Sequence, residues 1–234
     1  MKIGLAPYKF KNNDIAFNLS QIEKAMQSMQ GKADLLCFGE TFLQGFDALS
    51  WDFEKDKNIA VSQDSPIMRQ LCDWTLRYGV DLLLGYLERD GDSIYSSCVV
   101  LEQGKNVHNY RRISKGWKEP TADGHYQEGN DTREFLYRGR RFQIALCGDL
   151  WDFPERFQTD HILIWPIYVN FPLEDWANYE QEYAEQARLA SRQTLLVNSI
   201  SDDPIAHGGS FYFANGHIEK RTAYDEEEIL LVEV

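Results

Sequence analysis

The chain has 234 residues, 43% of them hydrophobic, which is enough for one large α/β domain with a packed core. A net charge of −13 argues against nucleic acid and anionic membranes as partners, because both need clustered Lys and Arg. Cys37, Cys72, Cys98 and Cys147 show no C-x-x-C spacing, so neither a zinc site nor a thioredoxin-like motif is expected, and reduced thiols in the cytoplasm are.

The chain enters a strand at once, over 2–6, with no apolar leader before it. No apolar run is long enough to span a bilayer. Ile15, Leu19, Ile22 and Met26 repeat at helical spacing and predict a helix over 13–30. An apolar run over 33–38 reads as a strand ending at Gly39-Glu40, and 65–78 reads as a second amphipathic helix. Strands follow over 80–86, 93–103 and 106–113, separated by turns at 89–92 and 103–105. A hairpin joins 133–137 to 141–147 across Arg138-Gly-Arg140. A strand over 160–167, a long helix over 175–191 and a strand over 194–199 come next. The chain closes with the pair 209–213 and 217–221 and a last strand over 229–234. Strands and helices alternate without repeat or linker. One domain over 1–234 is therefore expected, with mixed sheets covered by helices.

Two strand ends carry chemistry. At Ala145-Leu-Cys-Gly148 an apolar strand gives way to a turn, where the backbone can expose the sulfur of Cys147 as a nucleophile. At Phe38-Gly-Glu40 a strand ends in a carboxylate, at the edge where α/β sites form. Partial burial brings a carboxyl towards the thiol range, so Glu40 can exchange a proton with Cys147. The two residues follow the same pattern: apolar strand, reactive residue, polar turn.

Both motifs resemble those of the nitrilase superfamily of carbon–nitrogen hydrolases. Gly39-Glu-Thr-Phe-Leu-Gln-Gly-Phe46 is similar to its glutamate motif, and 145–155 to its nucleophile motif. Tyr110-Arg-Arg-Ile113 is similar to the segment holding its catalytic lysine. His125-Tyr-Gln-Glu-Gly-Asn130, the helix through Trp176, Tyr179 and Ala190, Val197-Asn-Ser199 and Gly208-Gly-Ser210 extend the likeness over nearly the whole chain. The resemblance implies a four-layer α-β-β-α sandwich pairing as a homodimer through helical faces. It also implies thiol-dependent hydrolysis of a small linear amide, with no cofactor or metal. The 125–130 loop is most similar to the ω-amidase-like branch, which acts on amides of dicarboxylic acids.

In the implied mechanism Glu40 deprotonates Cys147, the thiolate attacks the carbonyl carbon, and a lysine ammonium with the Gly148 amide holds the oxyanion. This sequence departs from the family at the lysine. Register from Tyr110 puts Arg112 there, on the same strand face as Tyr110. Lys115 is the rival and would need a bulge or shifted loop; Lys118 lies further along. Glu119 is the expected second acid, with Asp123 and Glu128 behind it. Trp165 and Tyr168 fall near where the family builds its substrate pocket, and either flank the substrate or pack into the core. The missing lysine also motivates a second reading, a silent relative that binds a small amide without turning it over.

Overall fold

The computed structural model describes residues 1–234, Ala177 by its backbone alone. The strands are β1 (Lys2–Leu5), β2 (Leu35–Cys37), β3 (Asp81–Asp90), β4 (Ser93–Glu102), β5 (Lys105–Arg111), β6 (Phe135–Tyr137) and β7 (Arg140–Ile144). They continue with β8 (Ile162–Ile167), β9 (Gln193–Asn198), β10 (Ile200–Asp202), β11 (Ile205–His207), β12 (Ser210–Ala214), β13 (His217–Arg221) and β14 (Leu230–Glu233). The helices are α1 (Ile15–Met29), α2 (Phe53–Asp56), α3 (Pro66–Tyr78), α4 (Asp149–Asp152) and α5 (Leu173–Ala190).

Two six-stranded sheets form, in the orders β14-β1-β2-β3-β4-β5 and β13-β12-β9-β8-β7-β6. Each holds three neighbouring parallel strands, β1-β2-β3 in one and β7-β8-β9 in the other, flanked by antiparallel pairs. The antiparallel pairs β3–β4 and β6–β7 are the expected hairpins. The sheets pack face to face: Ile3, Leu35, Cys37, Leu83 and Cys98 share one apolar cluster with Phe142, Ile144, Ile162, Ile164 and Leu195. Each such buried side chain stabilises the fold by roughly 1.5–3 kcal/mol. The opposite face of the first sheet is covered by α1 and α3, through Ile22, Met26, Leu71 and Trp74. On the second sheet, Trp176, Tyr183 and Ala187 of α5 pack on the outside. The order of layers is α-β-β-α, as expected.

Local chemistry sets the helix ends. Asp14 accepts a hydrogen bond from the Phe17 amide at the start of α1. Ser65 does the same for Met68, and Pro66 opens α3 with its φ already helical. The strand expected over 141–147 ends at Ile144; the chain nevertheless stays alongside β8, with the Ala145 and Cys147 amides donating to the carbonyls of Ile164 and Pro166. The short β10–β11 hairpin and the one-turn helices α2 and α4 carry no periodicity, and the sequence pattern missed them. Among the described residues no helix is long and apolar enough to cross a membrane.

Candidate active site

Glu40 stands just past β2, the middle strand of its parallel triple. Two glycines let the backbone sit there. A Cβ on Gly39 would lie 2.3 Å from Ser199 Oγ and 2.9 Å from the Ile167 carbonyl of the opposite sheet. A Cβ on Gly85 of β3 would lie 2.3 Å from the Gly39 carbonyl and 2.8 Å from Glu40 Cα. With both absent, the Glu40 amide donates across the sheet interface to Ile167 O at 3.2 Å. Gln44 then clips the following turn onto β3 by exchanging hydrogen bonds with both main-chain groups of Leu87.

Cys147 stands just past β7 with φ +42°, and Thr41, the neighbour of Glu40, has φ +47°. Left-handed backbone at a residue with a side chain costs of order 1–3 kcal/mol and persists only where its surroundings enforce it. Asp149 enforces it at the cysteine. Its Oδ2 accepts from the Leu146 amide at 2.9 Å and the Tyr110 hydroxyl at 2.5 Å, and its Oδ1 accepts from the Ile113 and Ser114 amides at 3.0 and 2.8 Å. This fully buried carboxylate thus ties the cysteine turn to the chain leaving β5. Burial pushes its pKa up; Arg112, Tyr110 and the backbone donors oppose that.

Arg112 is the cation paired with Glu40. It is buried, and its Nη1 donates to Glu40 Oε1 at 2.9 Å while its Nε donates to Ser114 Oγ at 2.7 Å. Ser96 of β4 completes the set. Its hydroxyl donates to the same Glu40 oxygen at 2.8 Å, and its carbonyl accepts from the Arg112 amide. Glu40 Oε2, also buried, has no hydrogen-bond partner among the described residues. The carboxylate thus keeps one free acceptor atom.

The partly buried Cys147 sulfur lies 3.7 Å from the Tyr168 carbonyl. Burial pushes its thiol up to about 12; the adjoining Glu40 carboxylate adds to the rise and Arg112 works against it. The thiol is therefore protonated at neutral pH. Burial also works against the charge on Arg112, but Glu40, Cys147 and Asp149 outweigh it and raise its pKa.

The other expected residues fall elsewhere. Lys115 is exposed and makes no contact with Glu40 or Cys147 among the described residues, because the chain past β5 turns it outward without the bulge it would need. Lys118 pairs with Glu128 at 2.6 Å and donates to the Tyr126 carbonyl. Glu119 is exposed and touches none of Glu40, Arg112 and Cys147; its charge is felt at Asp47. Trp165 is no pocket wall. It is fully buried among Trp151 and Tyr183, on the α5 side of β8, and its Nε1 holds the Cys147 carbonyl at 2.9 Å. Tyr168 meets the site through its carbonyl only, while its ring stacks on Phe46 and its hydroxyl meets Ser201. Sequence reasoning missed Ser96 and Ser114. Ser96 lies inside β4 beside Ser97, just before the apolar run over 98–101, and nothing local marks it out.

A model of the carbon–nitrogen hydrolase family matches residues 2–156. The chain is 27% identical over 155 residues to an (R)-stereoselective amidase from a Pseudomonas species, a match taking in 66% of this chain and 54% of that enzyme. The chain thus spans about half the length of that curated relative. In structure it is similar to a CN-hydrolase superfamily protein from Xanthomonas campestris solved with an arsenic adduct in its active site, with TM-score 0.82, 16% identity and coverage of 99% of this chain and 89% of the other. It is likewise similar to an amidase from Nesterenkonia sp. solved with acrylamide added at its active-site cysteine, with TM-score 0.79, 16% identity and coverage of 100% and 93%. Those two likenesses show the fold. With the family model running from β1 through the turn that carries Cys147, the chain belongs to the carbon–nitrogen hydrolase family.

Proposed function

We propose that the chain hydrolyses the carbon–nitrogen bond of a small linear amide through a thioester on Cys147. The carrying observation is the free acceptor Oε2 of the buried Glu40, whose other oxygen holds the Arg112 guanidinium, beside a sulfur at a strained turn. Glu40 takes the proton from Cys147 Sγ as sulfur bonds to the carbonyl carbon. The carbonyl electron pair moves onto oxygen, where Arg112 and the Gly148 amide hold it. As the tetrahedral species collapses, the carbon–nitrogen bond breaks and Glu40 protonates the departing ammonia or amine. Water then loses a proton to Glu40, attacks the thioester, and releases the acid while the thiol is restored. Arginine suits only the charge-holding part of this cycle, since it does not release its proton. All proton traffic therefore runs through Glu40.

Ammonia release from a panel of short amides tests this reading. The panel includes monoamides of dicarboxylic acids and the matching nitriles. Release that disappears in Cys147→Ala supports it; no release from any amide contradicts it. The replaced lysine favours a second reading, in which the chain binds an amide without turnover. That reading expects saturable binding by calorimetry with no acid product. We also propose a homodimer through the outer face of α5, where Leu189 is exposed. Light scattering at the monomer mass would refute it.

A further inference from the structure

We propose that Gly148 is the seat of Arg112: the side chain missing at 148 makes the room that a guanidinium, unlike a lysine ammonium, requires beside Cys147. Gly148 has φ −63° and ψ −10°, ordinary helical backbone open to any residue. Its lack of a side chain is therefore not a conformational need. Space explains it. A Cβ at 148 would lie 2.6 Å from Arg112 Nη2 and 3.2 Å from Ser114 Oγ. Gly116 borders the same nitrogen, since a Cβ there would lie 3.1 Å from it.

The guanidinium cannot simply retreat. Its Nη1 is bound to Glu40 at 2.9 Å and its Nε to Ser114 at 2.7 Å, in a residue only 3% exposed. Any shift away from a new methyl group stretches the ion pair that holds the Glu40 carboxylate. Nη2 therefore lies in a slot between two glycines. A donor set against the backbone of residue 148 is placed to meet an oxygen developing negative charge beside Cys147. Position 148 thus acts through Arg112, as a positioning residue, and the two positions form one unit.

This rests on the reading that Arg112 serves Cys147, and the test separates the two. Gly148→Ala is made in the natural chain and in an Arg112→Lys background. For all four proteins the rate of Cys147 alkylation by iodoacetamide is followed against pH by mass spectrometry, with amide turnover and melting temperature alongside. In the natural background Gly148→Ala should slow turnover at least tenfold and move the alkylation profile to higher pH. In the Arg112→Lys background the same change should alter both by less than twofold, because an ammonium occupies less of the slot. Equal effects in the two backgrounds, or no effect in the natural one, overturn the proposal. If Gly148→Ala alone does not fold, recovery of folding in the double variant supports it and an equal failure overturns it. The alkylation arm needs no substrate. A chain that turns over no amide but shows the coupling keeps the seat and loses only the hydrolase reading.

Discussion

Glu40→Gln should move two properties of Cys147 in opposite directions. The carboxamide oxygen can still accept from Arg112 Nη1 and Ser96 Oγ, so the geometry around Oε1 survives and the charge does not. The negative charge that raised the thiol is gone, and the Arg112 charge that lowers it remains. A charge about 4 Å away at an effective dielectric of about 20 is worth about 4 kcal/mol, an upper figure near three pKa units. A fall of about 1–3 units multiplies the thiolate fraction at pH 8 roughly 10- to 1000-fold. A more acidic thiol is intrinsically less nucleophilic, which takes back about half of that on a logarithmic scale. Iodoacetamide should therefore alkylate Cys147 about 3- to 30-fold faster in Glu40→Gln, while amide turnover falls about 10²- to 10⁴-fold with the loss of the base. Mass spectrometry of the Cys147 peptide separates this signal from the partly buried Cys72. The variant also leaves a buried guanidinium without its counter-charge, which costs about 3–5 kcal/mol and lowers the melting temperature by several degrees. Alkylation that slows or stays constant would refute the placement of the Glu40 charge beside the sulfur.

Arg112→Ala should abolish turnover and lower the melting temperature, whereas Lys115→Ala should change neither by more than about twofold or a degree; the reverse pattern in an ammonia-release assay would reinstate Lys115. Asp149→Asn replaces one of two oxygens that together accept four hydrogen bonds with a donor. Two buried donors then lose their acceptor at about 1–3 kcal/mol each, and chemical denaturation should show a loss of roughly 2–6 kcal/mol together with reduced turnover. The Cys147 thiol, held up to about 12, stays protonated where the unfolded chain's thiol, near 9, ionises. Its contribution to stability is complete below about pH 9 and is lost as the pH rises towards about 12, because the unfolded state then binds fewer protons. Denaturation at pH 8 and pH 10 should show that decline, and a smaller one in Cys147→Ala.

The fold was legible because its signals are periodic. Apolar runs ending at Phe38 and Leu146, and the helical spacing of Ile15, Leu19, Ile22 and Met26, need only local chemistry to be interpreted. Glu40 and Cys147 were legible for the same reason: each ends an apolar run. Arg112 was reachable by register from Tyr110, but Lys115 stayed a rival, because sequence shows neither how the chain leaves β5 nor that Asp149 binds the Ile113 and Ser114 amides there. For Trp165 the sequence leaves pocket wall and core packing both open, because alternation along β8 does not say which face looks at α5; the structure packs it in the core. The functions of Gly148 and Ser96 depend on what stands opposite them, Arg112 and Glu40, over sequence separations that no local pattern spans.

The proposed cycle depends on acyl transfer to one sulfur. Incubating the chain with a turned-over amide in the presence of hydroxylamine, and following both the hydroxamate product and the mass of the Cys147 peptide, tests that most directly. The expected result is a hydroxamate formed at the expense of the acid, with an acyl group detectable on Cys147 after rapid quenching and neither signal in Cys147→Ala. Acid formed without hydroxamate and without any acyl mass on Cys147 would contradict it.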